Sequence, residues 1–373
     1  MLACLITLLA LADTPRFEKT VITTEFVSEG AAAGDVNGDG KLDILAGAYW
    51  YEAPSWTPHE IDDPLKRNPL TEYSNSFLDF CTDVDHDGHP DLIRVGLPGE
   101  ELVWYLNPGK KTNAHWKKFN LLDHFGNESP MLADINDDGV PDIVGNDPIA
   151  KEVIWFEGPL TKGDTNWKRH VIARGDVGTH RYTHGLGYID MNADGRRDLV
   201  ITKGWWERPV DAKVEDWVFH PVDLGPDCAQ ILSPDKPGGP AIDIYTSSAH
   251  EYGIWWYRHR ITELTDTWNR RTLDSSVSET HALALADING DGHPDLVTGK
   301  RWYAHNGGDP GGHDAALLIW LENIPGTPGR WSPHVIDQDS GVGLQVLVLD
   351  LNADGKLDIL FSNKKGLFFF RRF

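Results

Sequence analysis

The sequence predicts an all-β protein: a seven-bladed β-propeller of four-stranded antiparallel blades, closed by the N-terminal strand completing the last blade. Three observations predict it. A nine-residue string, Asp-x-Asn/Asp-x-Asp-Gly-x-x-Asp, occurs six times, starting at Asp35, Asp83, Asp134, Asp190, Asp287 and Asp350. Short β-rich runs flank every copy in one fixed order, four to a repeat. The two ends of the chain carry complementary parts of the same repeat.

The copies start 48, 51, 56, 97 and 63 residues apart. The 97-residue gap holds two periods, and a degenerate copy at Ser233 to Asp243 has lost most of its acidic side chains to a proline-rich loop. That gives seven units. Within each unit an apolar segment comes first, as in Ala282 to Ala286 or Leu344 to Leu349. The Asp loop follows, then a β-rich run such as Asp43 to Ala46 or Asp295 to Thr298. An aromatic strand is third: Trp50-Tyr51, Trp104-Tyr105, Trp155-Phe156, Trp205-Trp206, Trp255-Trp256, Trp320-Leu321 and Phe368 to Phe370. A Trp-x-x-His-like strand is fourth, as at Trp56 to His59, Trp167 to His170, Trp217 to His220 and Trp331 to His334. Histidines that recur with the repeat are expected to be structural. Phe17 to Ile22 matches this fourth strand, and the chain stops after a third strand at Phe370, so the N-terminal strand is expected to complete the last blade and remove the free sheet edges. One domain spanning residues 16–373 is expected, with no linker.

The 373 residues contain 34 Lys+Arg and 57 Asp+Glu, a formal charge of −23, which excludes a nucleic-acid partner in practice. With 40% hydrophobic residues and 15 Trp the chain can bury a large core. Residues 1–12, MLACLITLLALA, are apolar and end in Ala-Leu-Ala, as an export signal does. A secreted or periplasmic monomer is expected. No later stretch reaches the roughly 20 apolar residues of a transmembrane helix. Cys81 and Cys228 do not make a disulfide scaffold and are expected as buried thiols.

Oxygen ligands at positions 1, 3, 5 and 9 with a turn-permitting glycine at 6 suit a hard cation, Ca²⁺ above transition metals. The expected ligands are Asp35, Asn37, Asp39 and Asp43; Asp83, Asp85, Asp87 and Asp91; Asp134, Asn136, Asp138 and Asp142. The other three loops offer Asp190, Asn192, Asp194 and Asp198; Asp287, Asn289, Asp291 and Asp295; and Asp350, Asn352, Asp354 and Asp358. About six structural Ca²⁺ sites follow. The competing reading is a set of Asp/Gly-rich turns held by local side-chain bonds. Repetition of one ligand order favours the metal.

These loops, as in Asp35-Val-Asn-Gly-Asp-Gly-Lys-Leu-Asp43-Ile-Leu, resemble the FG-GAP or VCBS-type repeats of integrin α-subunit-like and bacterial secreted β-propellers. The resemblance covers residues 16–373 and implies the fold; for function it implies only adhesion, sugar binding or polysaccharide lysis. Gly204-Trp-Trp-Glu-Arg-Pro209 and Leu296 to Gly307 further resemble the propeller domain of the aldos-2-ulose dehydratases, lyases that eliminate water from keto-sugars. Those enzymes also carry cupin domains, which this sequence does not show.

Ligands should bind on the face opposite the Asp hairpins, around the central channel. Six residues before each loop stand Glu29, Phe77, Glu128, His184 and His281, with Asp227 in the degenerate unit by approximate alignment; a neighbouring count in the last unit gives Gln345. The segments after the second strands add Lys203, His250, Lys300, Arg301 and His305. His184 or His281 is the expected general base, with Lys203, Lys300 and Arg301 stabilising an enolate and Tyr182 or Tyr303 donating a proton. Glu29, Glu128, Asp227, His305, Trp205 and Trp302 are the expected substrate contacts, although tryptophans at this repeat position also fill space between blades. Only the sixth unit has a long insertion, Tyr303 to Asp314, whose His305, Asp309, His313 and Asp314 could hold a further metal at the central mouth. The expected function is a carbon–oxygen lyase acting on a keto-sugar or keto-glycoside. A non-catalytic glycan- or protein-binding propeller is the alternative.

Overall fold

The computed structural model describes residues 15–373 except 110–114, 227, 235–236, 240, 261–267 and 327–328. The export signal and Asp227 lie outside the described residues. The 26 described strands form six antiparallel sheets: four of four strands, one of three and one of seven. Each Asp loop joins the first strand of a unit to its second, as at Ala32–Gly34 and Asp43–Ala46.

Two sheets depart from the expected four-stranded pattern. The seven-stranded sheet joins the second and third units because Lys117–Ala133 runs unbroken for 17 residues. Its first half pairs with Glu100–Leu106 and its second half with Asp142–Asp147. A register shift, the positive φ of Asn127 and the buried Phe125 mark the passage between them. In the degenerate unit, among the described residues, only Ala241–Ser247, Tyr252–Arg260 and Asn269–Ser278 form a sheet. Its inner edge shrinks to bridges at Leu232–Tyr245 and Cys228–Ser248, as a proline-rich segment short of backbone donors would dictate.

The N-terminal strand Phe17–Thr23 pairs antiparallel with the C-terminal Gly366–Arg372, from Phe17 opposite Arg372 to Thr23 opposite Leu367. Apolar side chains pack between successive sheets. Leu45 and Trp50 meet Leu92 and Val103, and Ile44 and Tyr51 meet Leu360 and Phe369 of the last sheet.

The recurring histidines are structural. His59, His170, His220 and His334 stack on Trp50, Trp155, Trp205 and Trp320, with ring centroids 4.1–4.4 Å apart. Each also bonds through Nε2 to the glutamate two residues after its tryptophan: Glu52, Glu157, Glu207 and Glu322, at 2.8–3.0 Å. The second unit replaces the histidine by Phe119, stacked on Trp104. Cys81 and Cys228 form no disulfide.

The Asp loops share one internal pattern. In the first, Asp35 Oδ1 and Oδ2 accept the N–H groups of Asp39 and Gly40, both at 2.9 Å. The ninth residue is fully buried in all six. Asp43 accepts from Val36 N–H and, beyond the third strand, Ala53 N–H; Asp91, Asp142, Asp198, Asp295 and Asp358 do the same in their units. This aspartate therefore clamps the first hairpin to the end of the third strand, a role the spacing alone does not show. Burial pushes the Asp43 carboxyl up to about 6 and those of Asp91, Asp142, Asp198 and Asp295 to about 7.

Candidate functional site

At the ends of the strands remote from the Asp hairpins lies a cavity of about 810 Å³. Its walls include Tyr73, Phe77, Glu128, Tyr182, His184, Lys203, His250, Arg301 and His305, drawn from five of the repeats. The segments before first strands supply Phe77, Glu128 and His184, and those after second strands supply Lys203, His250 and Arg301.

Arg301 occupies the centre. Its Nη2 lies 2.6 Å from Glu29 Oε2 and its Nη1 3.4 Å from Glu128 Oε2, and the guanidinium sits 5.4 Å from the Phe77 ring centroid. All three charged groups are buried. Burial alone would raise the Glu128 carboxyl, but the imidazole of His184, 3.3 Å away, and the Arg301 charge outweigh it and hold the group at about 2. Lys300 is enclosed beside it, its ammonium held by Glu279, Ser278 Oγ and the Gly311 carbonyl. Burial raises the Glu279 carboxyl.

His184 and His250 on the cavity wall and His281 behind it bring one ring nitrogen each to within 4.8 Å of one another. Their ring centroids are 4.6–5.7 Å apart. His281 Nδ1 points at the carbonyl of Glu279 at 3.2 Å, and a carbonyl only accepts, so this nitrogen carries the proton. Burial drives the His281 pKa well below its ordinary value, and burial also lowers that of His250. Both imidazoles are neutral near pH 7.

The insertion caps the cluster. Its short 3₁₀ turn, Ala304–Gly307, is entered through Tyr303 at φ 59° and contains His305 at φ 46° and Asn306 at φ 55°, left-handed positions that non-glycine residues occupy at a cost. The His305 N–H is anchored 2.9 Å from the Tyr73 hydroxyl. Asp309 Oδ2 lies 2.6 Å from His305 Nδ1 and 3.1 Å from His250 Nδ1. Burial would raise this carboxyl, but the two imidazole contacts outweigh it and keep its pKa low.

The structure thus brings together His184, His281, Arg301, Glu29, Glu128 and His305. Of the other expected site residues, Tyr182 and Lys203 reach the cavity and the rest of those described stand away from it. Lys300 is sealed in its pair with Glu279 and does not line the cavity, so it holds the wall and offers no charge to a ligand. His281 also lies behind the wall, out of reach of a substrate proton. Lys203 is at the rim, its ammonium 2.8 Å from Asp223. Tyr182 lies on the cavity wall and is exposed. Trp205 is a repeat tryptophan stacked on His220, and Trp302 packs on Tyr303 under Lys365; none of Trp205, Trp302 and Tyr303 lines the cavity. Gln345 ties strands together, its side chain bonding both N–H and carbonyl of Asp79. The reading from sequence had no role for Tyr73 or Glu279. Glu279 could have been sought two residues before a ring histidine, whereas Tyr73 comes from an irregular segment with no repeat signal.

Comparison with known proteins finds a similar fold and matching repeats. An ancestral GH74 enzyme superposes with a TM-score of 0.52 at 11% identity, covering 93% of this chain and 46% of its own. The Nup133 β-propeller domain of Vanderwaltozyma polyspora gives 0.47 at 10% identity over 97% of this chain and 99% of its own. The chain carries FG-GAP repeats: the FG-GAP repeat profile matches residues 26–54 and 280–312, and that of the FG-GAP-like repeat matches 83–145. Among curated proteins, the rhamnogalacturonan endolyase YesW of Bacillus subtilis (strain 168) is 22% identical over 316 residues, 76% of this chain and 39% of the relative. The chain thus spans about two-fifths of that relative's length.

Proposed function

We propose that this chain is an exported, calcium-stabilised, seven-bladed β-propeller that acts on carbohydrate as a carbon–oxygen lyase. The seven-blade reading counts Lys117–Ala133 as two inner and outer strands in turn and lets Phe17–Thr23 complete the last blade. One observation carries the lyase reading: a single asymmetric cluster of imidazoles, a guanidinium and carboxylates at one mouth of the ring, crowned by the one long insertion. A binding propeller would reuse similar pockets from blade to blade. The partial likeness to a rhamnogalacturonan endolyase adds support for β-elimination on a sugar.

The His305–Asp309 pair is the best placed base, in place of the His184 or His281 expected from sequence. Asp309 takes up Nδ1–H, which leaves Nε2 of a cavity-lining imidazole free to accept a proton. That proton leaves the carbon next to a sugar carbonyl or carboxylate. The C–H electron pair becomes the new C=C bond as the bond from the adjacent carbon to its oxygen breaks. The departing oxygen takes a proton from an acid at the cavity, for which Tyr182 is placed, and leaves as water or an alcohol. Arg301 faces the charge that develops on the carbonyl or carboxylate oxygen.

The Asp loops fit Ca²⁺ by donor chemistry. In the second loop oxygens of Asp83, Asp85 and Asp91 lie within 4.8 Å of one another. Calcium there would neutralise carboxylates that otherwise repel one another, and the loops would hold it as a structural ion.

Ultraviolet absorbance tests the reaction, because elimination beside a carbonyl or carboxylate makes a conjugated double bond. Calcium-loaded protein is incubated with keto-sugars, keto-glycosides and uronic-acid polysaccharides. Rising absorbance with one class, abolished in His305→Ala, is expected. A flat trace across the panel, with glycan binding retained, would establish the binding propeller instead.

A further inference from the structure

We propose that the molecule has a second ligand site, outside the central cavity, that takes the carboxylate of an acidic sugar unit. It is a cavity of about 490 Å³ formed by residues of the first and second units, within the roughly 300–1,000 Å³ of small-ligand pockets. Thr24 to Val27, which lead into the first unit, supply one part of its lining, and the irregular stretch from Asp63 to Asn75 supplies another. Arg94, on the second strand of the second unit, Asp91–Val95, lines it as well.

Arg94 carries the proposal. Its side chain is 3% exposed, yet Nε has no hydrogen-bond partner among the described residues, and Nη2 comes no closer than 3.5 Å to Asp62 Oδ2 and 3.6 Å to Glu101 Oε1. The three carboxylates near it are engaged elsewhere. Asp62 Oδ2 accepts from the Tyr105 hydroxyl at 2.5 Å, and Glu101 accepts from Lys118 Nζ at 2.7 and 2.8 Å. Asp79, opposite Arg94 in the strand register, accepts from Ser76 Oγ and Gly47 N–H. A guanidinium offers five N–H donors in a planar fork, and leaving them unused away from water is costly. An incoming carboxylate satisfies two of them at once.

The rest of the lining supports an anion. Arg67 Nε is likewise buried without a partner among the described residues, its Nη1 lying 3.7 Å from Glu72 Oε1, and Lys66 precedes it on the same wall. Three cations thus meet two carboxylates, Glu25 and Asp63, in a chain whose formal charge is −23, so the positive excess is local to this cavity. The apolar and neutral walls suit a sugar better than a bare inorganic anion: Tyr49 and Leu65 offer faces for ring C–H groups, and the Asn75 amide offers donors and an acceptor to hydroxyls. Asn75 stands two residues after Tyr73 of the central cavity, so one segment borders both sites. The proposal goes beyond the lyase reading and does not rest on it.

The test uses the full chain at saturating Ca²⁺, with methyl glucuronide as the probe and methyl glucoside and inorganic phosphate as comparisons, read by calorimetry and ligand-observed NMR. The glucuronide should bind at least about 10-fold more tightly than either comparison, and its affinity should fall as salt is raised. The double variant Lys66→Ala, Arg67→Ala should weaken it at least about 10-fold, whereas Lys168→Ala, which removes an exposed cation from the outer strand Lys168–Arg174, should not. Arg94→Gln should abolish binding; because Arg94 is buried, the Lys66 and Arg67 double variant supplies the reading should Arg94→Gln fail to fold. No binding of the glucuronide, equal affinity for glucoside or phosphate, or unchanged affinity in the folded double variant would overturn the proposal, the last by placing the sugar elsewhere. The probe has no keto group and binding is read without turnover, so a flat elimination assay leaves this result standing.

Discussion

Arg301 Nη2 lies 2.6 Å from Glu29 Oε2, joining residues 272 positions apart in a pair from which water is almost wholly excluded. Glu128 completes a buried triad. Replacing Arg301 by Gln strands two buried carboxylates, and breaking a buried pair in this way typically costs about 3–5 kcal/mol. Chemical denaturation should show a loss of that order. The triple variant Arg301→Met, Glu29→Leu, Glu128→Leu should recover part of it, and a single variant as stable as the wild type would mean that the triad contributes nothing.

Asp79 gives the fold a pH dependence separate from the loops. Burial pushes its carboxyl up to about 7, against hydrogen bonds from Ser76 Oγ and Gly47 N–H and the charge of Arg94, which lower it. Its folded-state pKa exceeds the unfolded value of 3.8, so the protonated form favours folding. That contribution is present in full below about pH 4 and is lost as pH rises towards 7, by up to about 1.4 kcal/mol per pH unit. Asp79→Asn should remove this slope. Unfolding free energies of calcium-loaded wild type and variant at pH 4.5, 6 and 8 check it; parallel curves would mean that Asp79 is not the titrating group.

Calcium removal should destabilise the chain. With free Ca²⁺ at about 100 times the dissociation constant, each site adds about 2.7 kcal/mol, so a chelator should lower Tm by many degrees. Asp83→Ala should reduce the calcium bound by one equivalent. An unchanged melting curve after chelation would leave the loops as hydrogen-bonded turns.

Gly343 has no room for a side chain. A Cβ there would collide with the carbonyl oxygens of Ser362 and Glu29. Because the Glu29 carbonyl also accepts the Leu344 N–H at 2.9 Å, Gly343→Ala should shift the segment that carries the carboxylate paired with Arg301. A loss of about 1–3 kcal/mol is expected by denaturant melting, and a neutral result would show that this crossing yields easily.

Much of the fold was legible because it repeats. The Asp loops, the aromatic strands and the Trp-x-x-His pattern each recur, and the structure places them at corresponding positions of successive sheets. The unbroken Lys117–Ala133 strand was not legible, since two half-strands joined without a turn look like two ordinary strands. The ring positions six residues before each loop did find Glu29, Glu128, His184 and His281 in one place. Lys300 illustrates the limit of such counting: its position after a second strand matched that of an exposed lysine, Lys203, but the Glu279 carboxylate draws it into the wall.

The sequence by itself determined the units, their order, the turn chemistry of the Asp loops and the pairing of the two chain ends, because all of these depend on local pattern and spacing. Only the tertiary structure decided which imidazoles meet. His184, His250, His281 and His305 belong to three different repeats, and their approach depends on how successive sheets pack and on where an insertion with left-handed backbone folds back. Distances of that kind are set by packing between units, to which the period of the sequence is blind.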